Sequence, residues 1–346
     1  MNLHGSYQEM GRQYGALLKT EMHKIYPQII DYYTQKGTAT YKLLLEAAKK
    51  DYKDYPEEYK KFIEAMAETS GLTMEQHQIL CRLEFFDEFS PPETPVSNKC
   101  TCIAVSKELT ADEKQIFGRN YDWITDKKLT KYLTTTIFHF DNGNTTASIN
   151  YPGEIYGMTV MNDKGLFMAL NDGHASGKIN ITKERGHLFT KLLSFLRDAN
   201  NFEDFQKIAQ AEKFDQLILL NIADGKNSRS YEFSTDTVKF IQDFKVAANL
   251  FLHPDWQLGK PNIELSCESA ERRTNVLKIL DQPNAKIDLE TMKDILNKPI
   301  KDGGVSLEQQ YSQYRVIAKP EELKFWISAP EVFDWTEINL KPFFEK

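Results

Sequence analysis

CTCIAVS at residues 100–106 and QIFGRNYDW at residues 115–123 are the most informative stretches of this chain. The first alternates apolar and polar residues, which is the period of a half-buried β-strand. The segment between them, KELTADEK, is charged and typical of a turn, so the two stretches are predicted to form a β-hairpin. Cys100 opens the first strand, and Arg119 and Asp122 lie on the return strand.

Beyond this hairpin, the patterns alternate between strand and helix. Further strand-like segments are TTTIFHF (134–140), TASINY (146–151), GMTVM (157–161), GLFMALN (165–171), LILLNI (217–222), SYEFS (230–234) and VKFI (238–241). Helical patterns lie at about 186–199, 202–212, 268–281 and 288–297. Several antiparallel hairpins with helices outside them predict a layered α+β domain.

The first 90 residues are predicted to be helical. Residues 6–34 carry apolar side chains at helical spacing, although Gly11 and Gly15 weaken the prediction. Pro56 is expected to open a helix that ends at Gly71.

A second helix signal follows, and then a connector. Thr73 and Gln76 form a capping box for a helix predicted to reach about Phe89. The next ten residues, SPPETPVSNK (90–99), contain three prolines and no apolar period. We therefore expect an extended and exposed connector directly before Cys100.

Composition and charge restrict the class of protein. Of 346 residues, 41% are apolar and 27% charged, as in a soluble globular protein with a substantial core. The net charge of −7 argues against nucleic acid as a partner. We find no apolar run of about 18 residues, so no membrane span is predicted. The start, MNLHGSYQEMGRQYG, lacks the apolar stretch of a signal peptide, which leaves a cytoplasmic protein or an exported one whose signal is absent.

The four cysteines are Cys81, Cys100, Cys102 and Cys267. A chain of this length needs no disulfide framework, and the spacing is not the C-x-x-C of a zinc site. The ordinary interpretation of each is a small buried hydrophobic residue.

A catalytic cysteine needs a base or positively charged surroundings, because the thiolate is the nucleophile. None of the seven histidines lies in a recognised cysteine-protease signature. An α-amino group, whose pKa is about 7.7–8, is the obvious substitute. This requires cleavage of the Lys99–Cys100 bond, directly after the proline-rich connector.

CTCIAV and FGRNYDW resemble the Cys-Thr-Ser…Gly-Arg-Asn-x-Asp pattern of the choloylglycine-hydrolase and penicillin V acylase family. The upstream LHGSYQEMGRQYG is similar to the opening of the related acyl-CoA:6-aminopenicillanate acyltransferases. Acid ceramidase and N-acylethanolamine amidase are similar in the same places. The resemblance continues in NYPGEIYGMTVMNDKGLFMALNDG (150–173), VAANLFLHPDW (246–256) and SAERRTNVLKIL (269–280).

This resemblance implies an N-terminal-nucleophile (Ntn) hydrolase. The implied fold is a four-layer αββα sandwich over residues 100–346, with residues 1–99 as an added helical segment packed on it. The implied activity is hydrolysis of linear carbon–nitrogen amide bonds in a small N-acyl substrate. An acyltransferase and a non-catalytic binding protein remain alternatives. No metal or organic cofactor is implied, and homo-oligomerisation is left open.

The resemblance also assigns roles to residues. Cys100 supplies the thiol and, after cleavage, the amino base. Arg119 and Asp122 flank it, Arg119 to depress the thiol pKa and Asp122 to hold the new ammonium. Asn171 and Asn249 match the oxyanion-stabilising asparagines. A purely structural ion pair remains an alternative for Arg119 and Asp122. For the two asparagines, turn or cap geometry remains the alternative.

Four further positions can be compared with the family. Arg272 matches the second arginine of the family, with Arg273 as an adjacent competitor, and a solvated helix face is the alternative for both. Cys102 stands where the family commonly has Ser, and its role is open. Lys99 stands where the acyltransferases often have Gly, and a bulkier residue there is expected to slow self-cleavage.

Overall fold

A computed structural model describes residues 1–91, 100–123, 125–177, 179, 188–214, 216–258, 268–307 and 311–345. They divide into two compact units. Unit 1 comprises Met1–Val96, Ile124–Val160 and Gly186–Asp198, and unit 2 comprises Ser97–Trp123, Met161–Arg185 and Ala199–Lys346. Unit 1 therefore extends beyond the predicted boundary at residue 99, and separation of residues 1–99 by cleavage stays a prediction.

The helices and strands are numbered along the chain. The helices are α1 (Tyr7–Leu17), α2 (Lys19–Asp31), α3 (Tyr41–Lys53), α4 (Glu57–Ser70), α5 (Met74–Cys81), α6 (Leu192–Asp198), α7 (Phe202–Ala211), α8 (Ser269–Leu280), α9 (Leu289–Asn297) and α10 (Lys341–Phe344). The strands are β1 (Asn2–Gly5), β2 (Thr101–Val105), β3 (Ile116–Asp122), β4 (Thr134–Phe140), β5 (Thr146–Asn150), β6 (Thr159–Asn162), β7 (Phe167–Asp172), β8 (Ile218–Ala223), β9 (Ser228–Phe233), β10 (Val238–Gln242), β11 (Val246–Ala247), β12 (Ser312–Lys319), β13 (Lys324–Ala329) and β14 (Phe333–Asn339).

Unit 1 joins the N-terminal residues to the β4–β5 hairpin. Strand β1 pairs in parallel with β4, which pairs antiparallel with β5. The buried hydroxyl of Tyr14 on α1 lies 3.2 Å from the carbonyl oxygen of Tyr151 and 3.1 Å from that of Glu154. The prediction that the first 90 residues are helical is thus wrong at Asn2–Gly5, where pairing with β4 outweighs the local pattern.

The two glycines that weakened the prediction of α1 lie where α1 crosses α4. A Cβ atom at Gly11 would lie less than 3.0 Å from the carbonyl oxygen of Phe62, and one at Gly15 equally close to that of Met66. Real Cβ atoms do not approach backbone so closely. The glycines lower helix propensity but allow the two backbones to come together.

Replacing Gly11 with alanine is expected to destabilise unit 1. Alanine gains about 1 kcal/mol of helix propensity, but overpacking against the α4 backbone costs about 1–3 kcal/mol or more. Denaturant unfolding followed by circular dichroism measures the balance. The control is Ala16→Gly on the exposed side of the same helix, which should cost only about 1 kcal/mol of propensity. A Gly11→Ala chain that is more stable than the wild type would contradict the close approach.

The helix expected after Pro56 is confirmed as α4, which ends at Gly71 with φ of 80°. The capping box that opens α5 is also confirmed. However, α5 ends at Cys81 rather than near Phe89. Residues 83–86 are all buried, which a helix with one buried face cannot provide, and the chain turns into a 3₁₀ segment at Leu83–Phe85.

Unit 2 contains two antiparallel sheets. One has the strand order β11-β2-β3-β12-β13-β14, and the other includes β7-β8-β9-β10. Strands β12, β13 and β14 were not predicted. Helices α8 and α9 pack on the six-stranded sheet through an apolar core that includes Ile103, Val276 and Leu296. On the second sheet, Phe205 of α7 contacts Tyr231 of β9, with 5.0 Å between ring centroids.

The predicted hairpin is confirmed as β2 and β3, paired antiparallel from Thr101 opposite Asn120 to Val105 opposite Ile116. The two faces of the hairpin pack against different layers. Ile116 lies in the core beneath α8 and α9, whereas the neighbouring Phe117 contacts Phe167 of β7, with ring centroids 5.0 Å apart. The order of layers in unit 2 is therefore helix, sheet, sheet, helix, which is the αββα arrangement expected of an Ntn hydrolase.

Among the residues that the structure describes, no helix is both long and apolar enough to cross a membrane.

Candidate active site

Cys100 directly precedes β2 and is 1% exposed. Its Sγ lies 3.9 Å from the carbonyl oxygen of Asp122, at the end of β3. Burial raises the pKa of the thiol to about 11, and the positive charge of Arg119 counteracts part of this increase. At neutral pH the buried thiol therefore stays protonated, and a nucleophilic role requires a base that removes its proton.

Arg119 and Asp122 reach the region of Cys100 from β3, and both are buried. The Arg119 Nη2 donates to the carbonyl oxygen of Leu170 at 2.7 Å, and its guanidinium lies over the ring of Tyr121 at 4.8 Å. The Asp122 Oδ1 accepts a 2.6 Å hydrogen bond from Ser312 Oγ of β12. Each side chain is thus held by other elements of unit 2 beside the thiol.

Arg272, on the first turns of α8, is fully buried and binds the backbone of the cysteine. Its Nη1 donates to the Cys100 carbonyl oxygen and to Thr101 Oγ1, both at 2.6 Å. Its Nη2 donates to Asn249 Oδ1 at 3.0 Å and to Ser269 Oγ at 3.1 Å. One guanidinium therefore joins the start of β2, the segment that carries Asn249, and α8.

Arg273, the competitor for the same assignment, is only partly buried. It lines a different cavity of about 410 Å³, together with residues such as Ala247, Leu252 and Leu277. Of the two adjacent arginines, Arg272 is the one that contacts the candidate nucleophile.

Asn249 is fully buried, and both ends of its amide are engaged. Its Oδ1 accepts from Arg272, and its Nδ2 donates to the backbone carbonyl of Asp172 at 2.9 Å. Its backbone N–H donates to Ser269 Oγ at 3.3 Å. The amide has a second Nδ2 hydrogen, which can serve as a donor to a reacting oxygen.

Asn171, at the end of β7, is held differently. Its Nδ2 donates to the carbonyl oxygens of Ala247 at 3.2 Å and Ala248 at 2.9 Å, which occupies both amide hydrogens. Its Oδ1 accepts from the Cys102 thiol at 3.2 Å. In this arrangement, Asn171 ties β7 to the segment around β11, and Cys102 fixes the orientation of its amide.

The structure thus brings six predicted residues into one region of unit 2. They are Cys100, Arg119, Asp122, Asn171, Asn249 and Arg272. Lys99 and Cys267 lie outside the described residues. Ser312, the hydroxyl partner of Asp122, was not predicted. No local signal marks a single serine 190 residues away along the chain.

Comparisons with solved structures give distant similarities. A variant of conjugated bile acid hydrolase from Clostridium perfringens has a TM-score of 0.50 and 13% identity, over 70% of this chain and 93% of that one. Penicillin V acylase from Agrobacterium tumefaciens has a TM-score of 0.46 and 10% identity, over 70% and 86%. An N-acylethanolamine-hydrolyzing acid amidase ortholog from Caenorhabditis elegans has a TM-score of 0.45 and 12% identity, over 64% and 93%. No curated protein sequence gives a significant match.

The first of these similarities shows a common fold. A match to a family model goes further, because it covers residues 109–311, more than half of the chain. The matched residues include Arg119, Asp122, Asn171, Asn249 and Arg272. This protein therefore belongs to the acyl-coenzyme A:6-aminopenicillanic acid acyl-transferase family and has the Ntn-hydrolase fold.

Proposed function

We propose that this protein is a self-processing cysteine amidase that hydrolyses linear amide bonds of an N-acyl substrate through an acyl-enzyme on Cys100. The observation that carries the proposal is the position of Cys100 at the start of β2. There its carbonyl is bound by Arg272, and its thiol lies beside Arg119 and the end of β3. A buried nucleophile surrounded by two arginines and a carboxylate suits acyl transfer.

In the proposed self-cleavage, the Cys100 sulfur attacks the carbonyl carbon of Lys99. The new carbon–sulfur bond replaces the Lys99–Cys100 peptide bond, and the Cys100 nitrogen gains the thiol proton. Water then hydrolyses the thioester and leaves a Lys99 carboxylate and a free Cys100 with its α-amino group. Asp122, held by Ser312, is proposed to bind the resulting ammonium.

In turnover, the α-amino group replaces the base that the buried thiol lacks. With a thiol pKa of about 11, little thiolate is present at neutral pH. An amine with a pKa of about 7.7–8 takes up the thiol proton as sulfur adds to the substrate carbonyl and then delivers it to the leaving amine. Water hydrolyses the thioester and releases the carboxylic acid.

Asn249 is the side chain that we propose as the oxyanion donor, because its Nδ2 has a second hydrogen beyond the bond to Asp172. The same role for Asn171 stays a prediction. In the described arrangement both of its hydrogens face backbone carbonyls. Asn171 would therefore have to exchange one of these bonds during the reaction.

Self-cleavage is the first property to test. After purification and incubation, we expect denatured intact mass to show two fragments, one with an N-terminal sequence that begins Cys100-Thr101. The Cys100→Ala variant is the matched control and should remain a single chain. A wild-type chain that stays whole after prolonged incubation would contradict self-processing and favour a non-catalytic binding protein.

Acyl transfer is the second candidate activity, because the matching family is described by an acyl-transferase. A transferase passes the acyl group to an amine rather than to water. We expect hydrolysis of a panel of linear amides, including a conjugated bile acid, penicillin V, an N-acyl amino acid and a lipid amide. Mass spectrometry with and without an added amine or acyl-CoA distinguishes the two activities, because only a transferase forms a new amide.

A further inference from the structure

We propose that Glu232 is a positioning residue that holds the segment carrying Asn249, so that the Asn249 amide keeps its place beside Cys100. The role in catalysis rests on the proposed function, since Asn249 is the oxyanion donor there. The contacts of Glu232 with the segment stand independently of that function.

The segment that follows β11 has little strand pairing of its own. Its backbone N–H groups bind side chains from several other elements instead. Asn249 donates to Ser269 Oγ at 3.3 Å, and Phe251 donates to Ser176 Oγ at 2.8 Å. Buried backbone donors need such partners, so these side chains determine the path of the segment.

Glu232, on β9, is the charged member of this set of acceptors and is fully buried. Its Oε1 accepts from the backbone N–H of Leu252 at 2.6 Å, and its Oε2 accepts from that of His253 at 3.1 Å. The same Oε2 accepts from the indole Nε1 of Trp256 at 2.6 Å. Burial raises the pKa of this carboxylate, and the hydrogen bonds that it accepts oppose the rise. Three donors of residues 252–256 thus converge on one side chain, whereas each serine accepts one backbone N–H of the preceding residues.

Further contacts hold the same turn from the neighbouring strand β10. Lys239 lies opposite Glu232 in the strand register. Its ammonium lies over the Trp256 ring at 4.8 Å and 3.8 Å from Asp255 Oδ2. The ring of Phe251 also contacts Trp256, with 5.2 Å between centroids. The Glu232 carboxylate thus belongs to a cluster that fixes the turn to the sheet.

Asn249 lies three residues before the first N–H that Glu232 accepts. The side-chain amide is anchored at one end by Arg272 and at the other by the Asp172 carbonyl. Both bonds require the backbone at 249 to stay in place. A displacement of about 1 Å in a catalytic group can cost about 100-fold in rate. The loss of Glu232 should therefore weaken transition-state stabilisation more than substrate binding.

The test compares Glu232→Gln and Glu232→Ala with the wild type on the best amide of the panel. Glutamine keeps one acceptor oxygen for the backbone donors, whereas alanine keeps none. We expect kcat to fall about tenfold in Glu232→Gln and about 100-fold in Glu232→Ala, with KM changed less than about twofold. The control is Glu203→Gln in the first turn of α7, which removes the same charge at an exposed site.

Hydrogen exchange of the peptide covering residues 250–256, followed by mass spectrometry, tests the contact without any enzyme assay. Exchange should accelerate there in Glu232→Gln, more so in Glu232→Ala, and stay unchanged in Glu203→Gln. Unchanged exchange in both Glu232 variants, or faster exchange with unchanged kcat, would overturn the proposal. If the wild type has no amidase activity, the proposed function fails, while the exchange result still decides whether Glu232 holds the segment.

Discussion

Replacing Cys100 with alanine is expected to abolish amide hydrolysis and to stop self-cleavage in the same chain. Both reactions need the sulfur as nucleophile, and self-cleavage also supplies the amine that acts as its base. Removing the nucleophile of an enzyme of this kind lowers kcat by about 10⁴-fold or more. The measurements are kcat on the best amide and denatured intact mass. The fold should persist, because alanine fills part of the same buried site.

Cys81→Ala is the matched control for this experiment. Cys81 is also a buried free thiol, but it lies in unit 1. There its Sγ donates a hydrogen bond to the carbonyl oxygen of Gly153 at 3.2 Å. Its loss should leave kcat within about twofold, because it contributes no charge or nucleophile to the site. Undiminished amide hydrolysis by Cys100→Ala would show that the chemistry lies elsewhere, whatever the state of the chain.

The second large effect is expected at Arg272. Arg272→Ala removes one buried, charged donor from three acceptors: the Cys100 carbonyl, Thr101 Oγ1 and Asn249 Oδ1. Each such hydrogen bond contributes about 1.5–3 kcal/mol, so we expect the free energy of unfolding of unit 2 to fall by about 3 kcal/mol or more. The rate should fall as well, by about 100-fold or more, because both the proposed nucleophile and the proposed oxyanion donor lose a hydrogen-bond partner that holds them.

Arg272→Lys separates charge from geometry. A lysine keeps the positive charge, but its ammonium is a single point and cannot reach acceptors on two sides as the guanidinium fork does. We expect stability to recover partly and kcat to remain low. Denaturant unfolding and steady-state kinetics measure the two effects.

Arg273→Ala is the control, since it removes a neighbouring arginine from the same helix without touching Cys100. It should change kcat less than about threefold. If Arg273→Ala is the more damaging substitution, the assignment of Arg272 is wrong.

The hairpin that bears Cys100 and Arg119 could be predicted, because strand alternation and a charged turn are local signals. The chemical residues on it were predicted from the family pattern, and the structure places them together. The end of α5 could not be predicted. The capping box marks where a helix begins, but its end depends on four consecutive buried residues that other parts of unit 1 cover.

The choice between Arg272 and Arg273 also lay beyond the sequence pattern. Neighbouring residues on a helix point about 100° apart, so which one faces the site depends on how α8 packs. The same holds for Asn171. Its residue type predicts an amide donor, but only the neighbouring carbonyls of Ala247 and Ala248 reveal that both hydrogens are engaged.

Local sequence patterns were therefore sufficient to predict the Cys100 hairpin, most strands up to β10, and the four helices from α6 to α9. The order of the motifs was sufficient to predict membership of an Ntn family. Periodicity and motif order need no knowledge of distant residues. The candidate site is different, because its hydrogen bonds join residues far apart in sequence. Arg272 reaches Cys100 across 172 residues, and Ser312 reaches Asp122 across 190. Such partners come together only when the layers of unit 2 pack, and burial then raises the pKa of the Cys100 thiol.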